Sequence, residues 1–583
     1  MDTVEHTDGK KYVVLTEGAA SVLYENENQV FYNPVQRFNR DLSTLAIRAW
    51  SEEFMEKRSS KKKNNNKRKA KKRAAKDGAA EVETAEDKST EAKTDATPAT
   101  ITDPTDSKEE KKPQPYLTIL EALSATGLRA IRYALEIPNL KTVIANDFSA
   151  AAVSAIERNV KYNAAPAAQI VKPSHGDANM VMYSHKSTPF HCIDLDPYGT
   201  AAPFVDAAVQ AIADDGLLLV TCTDLAVLAG QGYPEKCFSS YGGTTSKTEF
   251  CHEAALRLVL NLVATTAARY GKAIEPLMSL SIDFYVRLFI RIKHSPFQVK
   301  SLASNTMVAY TCTGCNSTSC QPLGRVVTDK EGTPTKHSFP RGPPVGPKCD
   351  NCGFVHHMAG PMWGGRIHNK SFISKVQALA KTADPETYKT LPRINSMLTV
   401  ASEELDDAPF YFTPQKISSV VRCTCPTLTG LGSALLNAGY KVSPTHAAPG
   451  AIKTDAGWDI VYDVMREFIK EHPVTESNIK QGSPATKILE RREPKIKIDF
   501  TEHPDANPPS RKIKITRYPH NPKNWGPLPR ATGDKPKNKN KGKQIKTSAV
   551  VEKVAAEVGG AKREAGESVD ADENIKRQRT GDS

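Results

Sequence analysis

Long apolar runs are missing from this chain of 583 residues, and none approaches the roughly 18 that would suggest a membrane-spanning helix. The opening MDTVEHTDGK is acidic and polar, which resembles neither a secretory signal nor an Arg-rich transit peptide, so a soluble intracellular protein is expected. Cysteine is sparse. Eleven in a chain this long are too few for a disulfide scaffold, although four of them fall in two CxxC pairs, which in a reducing compartment read as metal ligands. Between residue 51 and about 115 large apolar side chains almost vanish, so that segment cannot bury enough surface to offset its ordering entropy and a disordered insert is expected. A low-complexity, disordered tail is expected over 531–583.

Positive charge is what the chain has in excess. Its formal net charge is +13 and its pI near 9.0, with twelve Lys or Arg and no acid between Lys57 and Lys76. The imbalance favours an anionic partner. The basic block reads as an RNA contact, a nuclear import signal or simply a solvated linker.

Pattern then gives the fold class. Residues Tyr116 to Ile137 read as strand, small-residue turn and amphipathic helix, and residues 142–163 repeat the unit; further apolar strands follow at 190–195 and 216–222. This predicts an α/β domain over 116–297 with a doubly wound, mainly parallel sheet, to which residues 1–50 add two short strands about Gly18 and a helix opened by Asn39-Arg40-Asp41. PLMSLSIDFYVRLFIRIK predicts a pair of antiparallel strands closing the sheet. A composition change at Gln298 predicts a second, smaller α+β domain over 298–500, followed by a basic extension over 501–530 that carries Tyr518 and Trp525.

The chemistry gathers at strand ends. Phe190–Leu195 is an apolar run ending on Asp196, Pro197, Tyr198 and Gly199, a carboxylate, a fixed backbone and an aromatic face at one place. The competing reading is a turn in which Asp196 caps a helix that Pro197 starts. Upstream, the turn Ser124-Ala125-Thr126-Gly127 has one glycine and no GxGxxG, which disfavours a dinucleotide. Asp147 ends the next strand, where an acid suits the two hydroxyls of a ribose, and His175-Gly176-Asp177-Ala178-Asn179 suits an adenine amino group. An adenosine without a pyrophosphate fits best, and S-adenosylmethionine is the common one. Cys312, Cys315, Cys349 and Cys352 form two knuckles separated by 33 residues, the pattern of a structural zinc site, with Cys320, His356 and His357 as competing ligands. The loop Val442 to Ala456 offers His446, Lys453 and several hydroxyls, a set that suits phosphates.

Taken together, VFYNPVQRFNRDLS, LEALSATGLRAIRYALE, ANDFSA, GDAN, DLDPYGT, TCTD, SPTHAAPGAIKTDA and RYPHNPKNWGP closely resemble the tRNA guanine-26 dimethyltransferases of archaea and eukaryotes. The resemblance implies a Rossmann-like class I methyltransferase domain and a zinc-containing C-terminal domain that binds tRNA. It implies S-adenosylmethionine held by Arg40, Arg129, Asp147, Asp177 and Ala178, and a target guanine meeting Asp196, Pro197 and Tyr198 with Phe31 closing the other side. The expected compartment is the nucleus, with a mitochondrial pool also open. Two rivals stand beside this reading: a methyltransferase of exocyclic amines in another RNA or in DNA, and a catalytically silent, zinc-containing RNA-binding protein.

Overall fold

The alternation of apolar strands and amphipathic helices builds one central sheet in the computed structural model, which describes residues 3–5, 9–24, 32–80, 115–230, 232–490 and 494–517. A small antiparallel sheet comes first in the chain, from β1 (Thr3–Glu5), β2 (Lys11–Glu17) and β3 (Ala20–Tyr24). The main sheet has seven strands: β4 (Leu117–Glu121), β5 (Leu140–Asp147), β6 (Val171–His175), β7 (Phe190–Leu195), β8 (Ile212–Cys222), β9 (Lys272–Ile282) and β10 (Tyr285–His294). Their order is β6-β5-β4-β7-β8-β10-β9. The first five run parallel, and β10 is antiparallel to both neighbours, as the doubly wound reading expects. β7 and β8 are buried almost throughout because helices cover both faces of the sheet.

Two expectations need correction. The helix that begins at Arg37 runs on to Ala80, so residues 51–80 are helical where a disordered insert was expected. Lys, Arg, Ala and Glu cost little in a helix, no glycine or proline interrupts Arg37–Asp77, and the buried Leu42, Leu45 and Trp50 anchor the first turns. Scarcity of apolar residues reports the lack of a core, which a solvated helix does not need. Residues 81–114 and 531–583, expected to be disordered, lie outside the described residues.

Nor is residue 298 a break in packing. Phe372, Ile373 and Val376 of the helix Lys370–Thr382, with Ile394 and Leu398 of the helix Leu391–Glu403, share one buried cluster with Leu42, Trp50, Leu277 and Met278. Asp41 also accepts from the Thr390 backbone N–H (3.2 Å) and hydroxyl (2.7 Å), tying the N-terminal helix to the C-terminal half. The later strands are β11 (Thr306–Cys312), β12 (Thr318–Pro322), β13 (Arg325–Thr328), β14 (Pro334–Ser338) and β15 (His356–Trp363). β11 pairs with β12 and β15, and β13 with β14.

Candidate active site

After β4 the chain builds β5 and β6 on one side, then crosses to place β7 on the other, so the carboxyl ends of β4 and β7 flank the topological switch point where open α/β sheets bind ligands. The Asp196–Gly199 turn leaves β7 at that point. Asp196 is half-buried, Pro197 buried, and the Tyr198 side chain 74% exposed. Gly199 takes φ of 75°, a left-handed conformation costly for other residues. Its N–H donates to Thr223 Oγ1 and its carbonyl accepts from the Thr223 N–H, both at 2.8 Å. The Tyr241 hydroxyl sits 2.7 Å from Thr200 and 2.8 Å from Asp224. Thr223, Asp224 and Tyr241 therefore hold the turn in place.

Behind Asp196 lies a lattice of buried charges. Arg129 donates to its carboxylate through Nη2, and Asn39 Nδ2 approaches the same oxygen at 3.5 Å. Arg129 also faces Asp194 and Glu121, each at 3.6 Å. Arg287 grips Asp194 with bonds of 2.7 and 3.0 Å, and the Tyr133 hydroxyl adds one of 2.7 Å. Burial works to raise the Asp194 carboxyl, but Arg287 and Arg129 prevail and hold it below the usual range. Glu121 has weaker support, and burial pushes it up to about 8. Asn39, Tyr133 and Arg287 escaped sequence reasoning. Arg287 left one signal, a cation inside the apolar run of β10.

On the other side of the switch point, the turn after β4 takes positive φ at Ala125 (50°) and Gly127 (76°). A Cβ on Gly127 would stand 3.1 Å from Ile156 Cγ2, so a glycine is needed there for both conformation and space. Asp147 ends β5 and accepts from the N–H groups of Ala125 and Ser149, both at 2.9 Å. Asp177 caps the helix Ala178–Ser184, with Oδ1 accepting from Asn179 (2.9 Å) and Met180 (3.1 Å) and Ala178 buried beneath it. Each carboxylate keeps acceptor capacity beyond these bonds. Asn146 Nδ2 ties Ala122 O to Gly176 O at 3.0 Å each, while its Oδ1 is buried without a partner among the described residues, as is Asn179 Oδ1. The Phe148 side chain is 78% exposed beside them. Orphaned acceptors, carboxylates with spare lone pairs and an uncovered aromatic face fit an adenosine with its amino and hydroxyl donors.

Arg40 is differently placed. Glu17 binds its Nε and Nη2 at 2.6 and 2.5 Å, and Asn33 O accepts from Nη2 at 3.2 Å, which leaves only Nη1 without a hydrogen bond among the described residues. Burial would raise the Glu17 carboxyl, yet Arg40 and Arg132 hold it at about 2. Phe31 lies outside the described residues.

Cys312, Cys315, Cys349 and Cys352 converge with all four sulfurs within 4.8 Å of one another. The Cys312–Cys352 and Cys315–Cys349 separations are 3.2 and 3.6 Å, close to the edge of about 3.8 Å expected for four thiolates around zinc and far from a disulfide bond. Cys320, His356 and His357 stay outside this cluster.

The loop over 442–456 does not present its charges to solvent. Lys453 is 1% exposed and its ammonium lies 3.1 Å from Glu253 and 3.3 Å from Glu404. His446 is buried, its Nδ1 2.5 Å from Glu404 and its Nε2 accepting from the Ser281 N–H at 3.1 Å. The phosphate-binding reading of His446 and Lys453 is thus corrected: spacing in sequence does not reveal that two carboxylates converge on this loop, Glu253 from a helix and Glu404 from just past the end of another. The His368–Glu404–His446 group also has metal-ligand composition. However, Lys453 supplies the cation there, and both His446 nitrogens are engaged.

Comparison with known proteins adds the following. Residues 9–466 match the family described as N2,N2-dimethylguanosine tRNA methyltransferase. The tRNA (guanine(26)-N(2))-dimethyltransferase of Schizosaccharomyces pombe is 49% identical over 519 residues, covering 88% of this chain and 91% of its own. The mitochondrial tRNA (guanine(26)-N(2))-dimethyltransferase of Saccharomyces cerevisiae is 46% identical over 544 residues, 89% of this chain and 92% of its own. Among solved structures, the complex of Trm1 from Pyrococcus horikoshii with S-adenosyl-L-methionine aligns with a TM-score of 0.56 at 23% identity, covering 78% of this chain and 99% of that one.

Proposed function

The chain belongs to the N2,N2-dimethylguanosine tRNA methyltransferase family, and from that premise we propose that it transfers methyl groups from S-adenosylmethionine to the 2-amino nitrogen of guanine 26 in tRNA, giving N2,N2-dimethylguanosine. The observation that carries the reading is the Asp196 carboxylate at the end of β7, held by Arg129 and Asn39 across the switch point from Asp147 and Asp177.

The 2-amino nitrogen of guanine is a poor nucleophile because its lone pair is delocalised into the ring. The Asp196 carboxylate and the Pro197 carbonyl accept its two hydrogens, which favours a pyramidal nitrogen with a localised lone pair. Positive charge grows on that nitrogen during transfer, so fixed acceptors stabilise the transition state more than the ground state. Arg129 fixes the direction of the Asp196 carboxylate, and the Asp194–Arg287 pair behind it limits any movement. Tyr198 covers the extruded base, replacing part of the stacking lost when guanine leaves its helix. Asp147, Asp177 and Ala178 hold the adenosine end of S-adenosylmethionine, with Asn146 and Asn179 as further acceptors; Arg40 Nη1 suits its carboxylate. When bound, S-adenosylmethionine would supply an electrophilic methyl group and be left as the neutral thioether S-adenosylhomocysteine, and each transfer releases one amino proton toward the Asp196 carboxylate.

The four cysteines form a closed site with no open position, so its zinc would be structural. The basic helix over 57–76 is consistent with nuclear import, and the relative named as mitochondrial supports a second pool. Asp196→Ala is expected to abolish dimethylguanosine in tRNA digests analysed by mass spectrometry while calorimetry still detects S-adenosylmethionine binding. Near-normal product from that variant would overturn the assignment, and methyl transfer to duplex DNA in preference to tRNA would favour the rival amine methyltransferase.

A further inference from the structure

Between the two cysteine pairs a long stretch of chain stays at the surface of the protein. No residue from Gln321 to Lys348 is buried. Within this stretch β13 and β14 pair over four positions, Arg325 opposite Ser338, Val326 opposite His337, Val327 opposite Lys336 and Thr328 opposite Pro334. A two-stranded ribbon alone is marginally stable in water. Here both ends are fixed: β12 adds to β11 on one side, and Cys349 closes the sulfur cluster on the other. The result is an arm on a rigid root that contributes nothing to any core.

Its chemistry is one-sided. The arm has five Lys or Arg residues, Arg325, Lys330, Lys336, Arg341 and Lys348, against Asp329 and Glu331. None of the five makes an ion pair among the described residues, in a molecule whose cations elsewhere are extensively paired. Asp329 is occupied, accepting from the N–H groups of Glu331 and Thr333 at 3.0 and 2.7 Å to form the tip. The register puts Arg325, Val327, Lys336 and Ser338 on one face. Arg325 and Lys336 are diagonal neighbours on that face, a like-charged pair that an anion lying against it would offset. Immediately after β14, Phe339 is 92% exposed, the highest value of any large apolar side chain described.

An uncovered cationic face with a free aromatic ring matches the backbone and bases of a nucleic acid, since phosphates take the cations and an unpaired base stacks on the ring. An apolar protein surface would leave the cations unmatched. We propose that the β13–β14 arm is a docking element for tRNA, contacting phosphates through Arg325, Lys336 and Arg341. This inference rests on the proposed activity, because tRNA is the substrate there.

The test uses the full chain with Arg325→Gln, Lys336→Gln and Arg341→Gln combined, and separately Phe339→Ser. Because the arm buries nothing, unchanged circular dichroism and melting are expected. tRNA binding is measured by fluorescence anisotropy across a KCl series, with dimethylguanosine formation followed on the same samples. The triple variant should bind 10- to 100-fold more weakly at about 0.1 M salt, and its log Kd against log salt slope should fall by roughly 2 to 3, from about 0.7–0.9 per lost phosphate contact. Its turnover at saturating tRNA should match the unaltered protein. Phe339→Ser should weaken binding with no change in slope. Affinity and slope equal to the unaltered protein in the triple variant would overturn the arm's role while leaving the activity standing. Absence of dimethylguanosine from the unaltered protein would instead overturn the activity on which it rests.

Discussion

Lys453→Met separates a buried structural charge from a phosphate ligand. The ammonium lies between Glu253 and Glu404 at 3.1 and 3.3 Å, in a side chain 1% exposed. Methionine fills a similar volume, so packing changes little and the cost is electrostatic. Removing one member of a buried ion pair costs about 3–5 kcal/mol. The lower end applies, because Glu253 keeps Arg257 at 2.8 Å and Glu404 keeps His446 at 2.5 Å. A loss of about 3 kcal/mol lowers the folding equilibrium roughly 150-fold, readable by urea denaturation followed by circular dichroism. The loss should also depend on pH. Burial works to raise both carboxyls, but Lys453 helps His446 and Arg257 to hold Glu404 and Glu253 below the ordinary value of 4.5. The defect should therefore be full above pH 4.5 and fade as pH falls below it, where the carboxylates of the unaltered protein take up protons. Adding Glu404→Gln should recover part of the loss, a coupling that a double-mutant cycle measures. Stability within about 0.5 kcal/mol of the unaltered protein, together with weaker tRNA binding at low temperature, would refute the reasoning and restore the phosphate-binding reading.

Glu17→Gln should destabilise the protein at neutral pH by about 2–4 kcal/mol, as Arg40 and Arg132 lose their shared acceptor. Since the native carboxyl is held at about 2 against an unfolded value near 4.5, the difference between the two proteins should be full above pH 4.5 and fade as pH falls toward 2; a gap constant over that window in acid titrations of stability would contradict it. Cys315→Ser should reduce bound zinc from about one per chain by elemental analysis and loosen the helix Trp458–Glu471, whose Tyr462 hydroxyl donates to Cys315 O at 2.6 Å. Equal metal content in both proteins would count against the site. Gly127→Ala forces a side chain into φ of 76° against Ile156 and should cost about 1–2 kcal/mol with a matching loss of S-adenosylmethionine affinity; unchanged calorimetric binding would separate that turn from the cofactor.

What was legible in the sequence is what local pattern encodes. The apolar run of β7 ending in Asp-Pro-Tyr-Gly announced a strand and the turn that leaves it, and the two strand-turn-helix units announced the sheet around it. The CxxC pairs announced a cluster because each pair brings its own turn. The lattice behind Asp196 was hidden, since Arg287 meets Asp194 across 93 residues of chain and only the antiparallel return of β10 brings them together. The same blindness made Lys453 look like a surface lysine on a polar loop. At residue 51 the error ran the other way, because a charged segment without a core was taken to be one without structure.

The bond from Thr390 to Asp41 has a consequence in time. It spans 349 residues, and the helices that complete the cluster around Leu42 and Trp50 are equally late in the chain. At translation rates of about 5–20 residues per second, the N-terminal helix waits roughly 17–70 s for its partners to be made. During that interval the apolar face of Leu42, Leu45 and Trp50 has no partner from residues 370–403, so the growing chain stays open to aggregation there even after the Asp196–Gly199 turn has been synthesised.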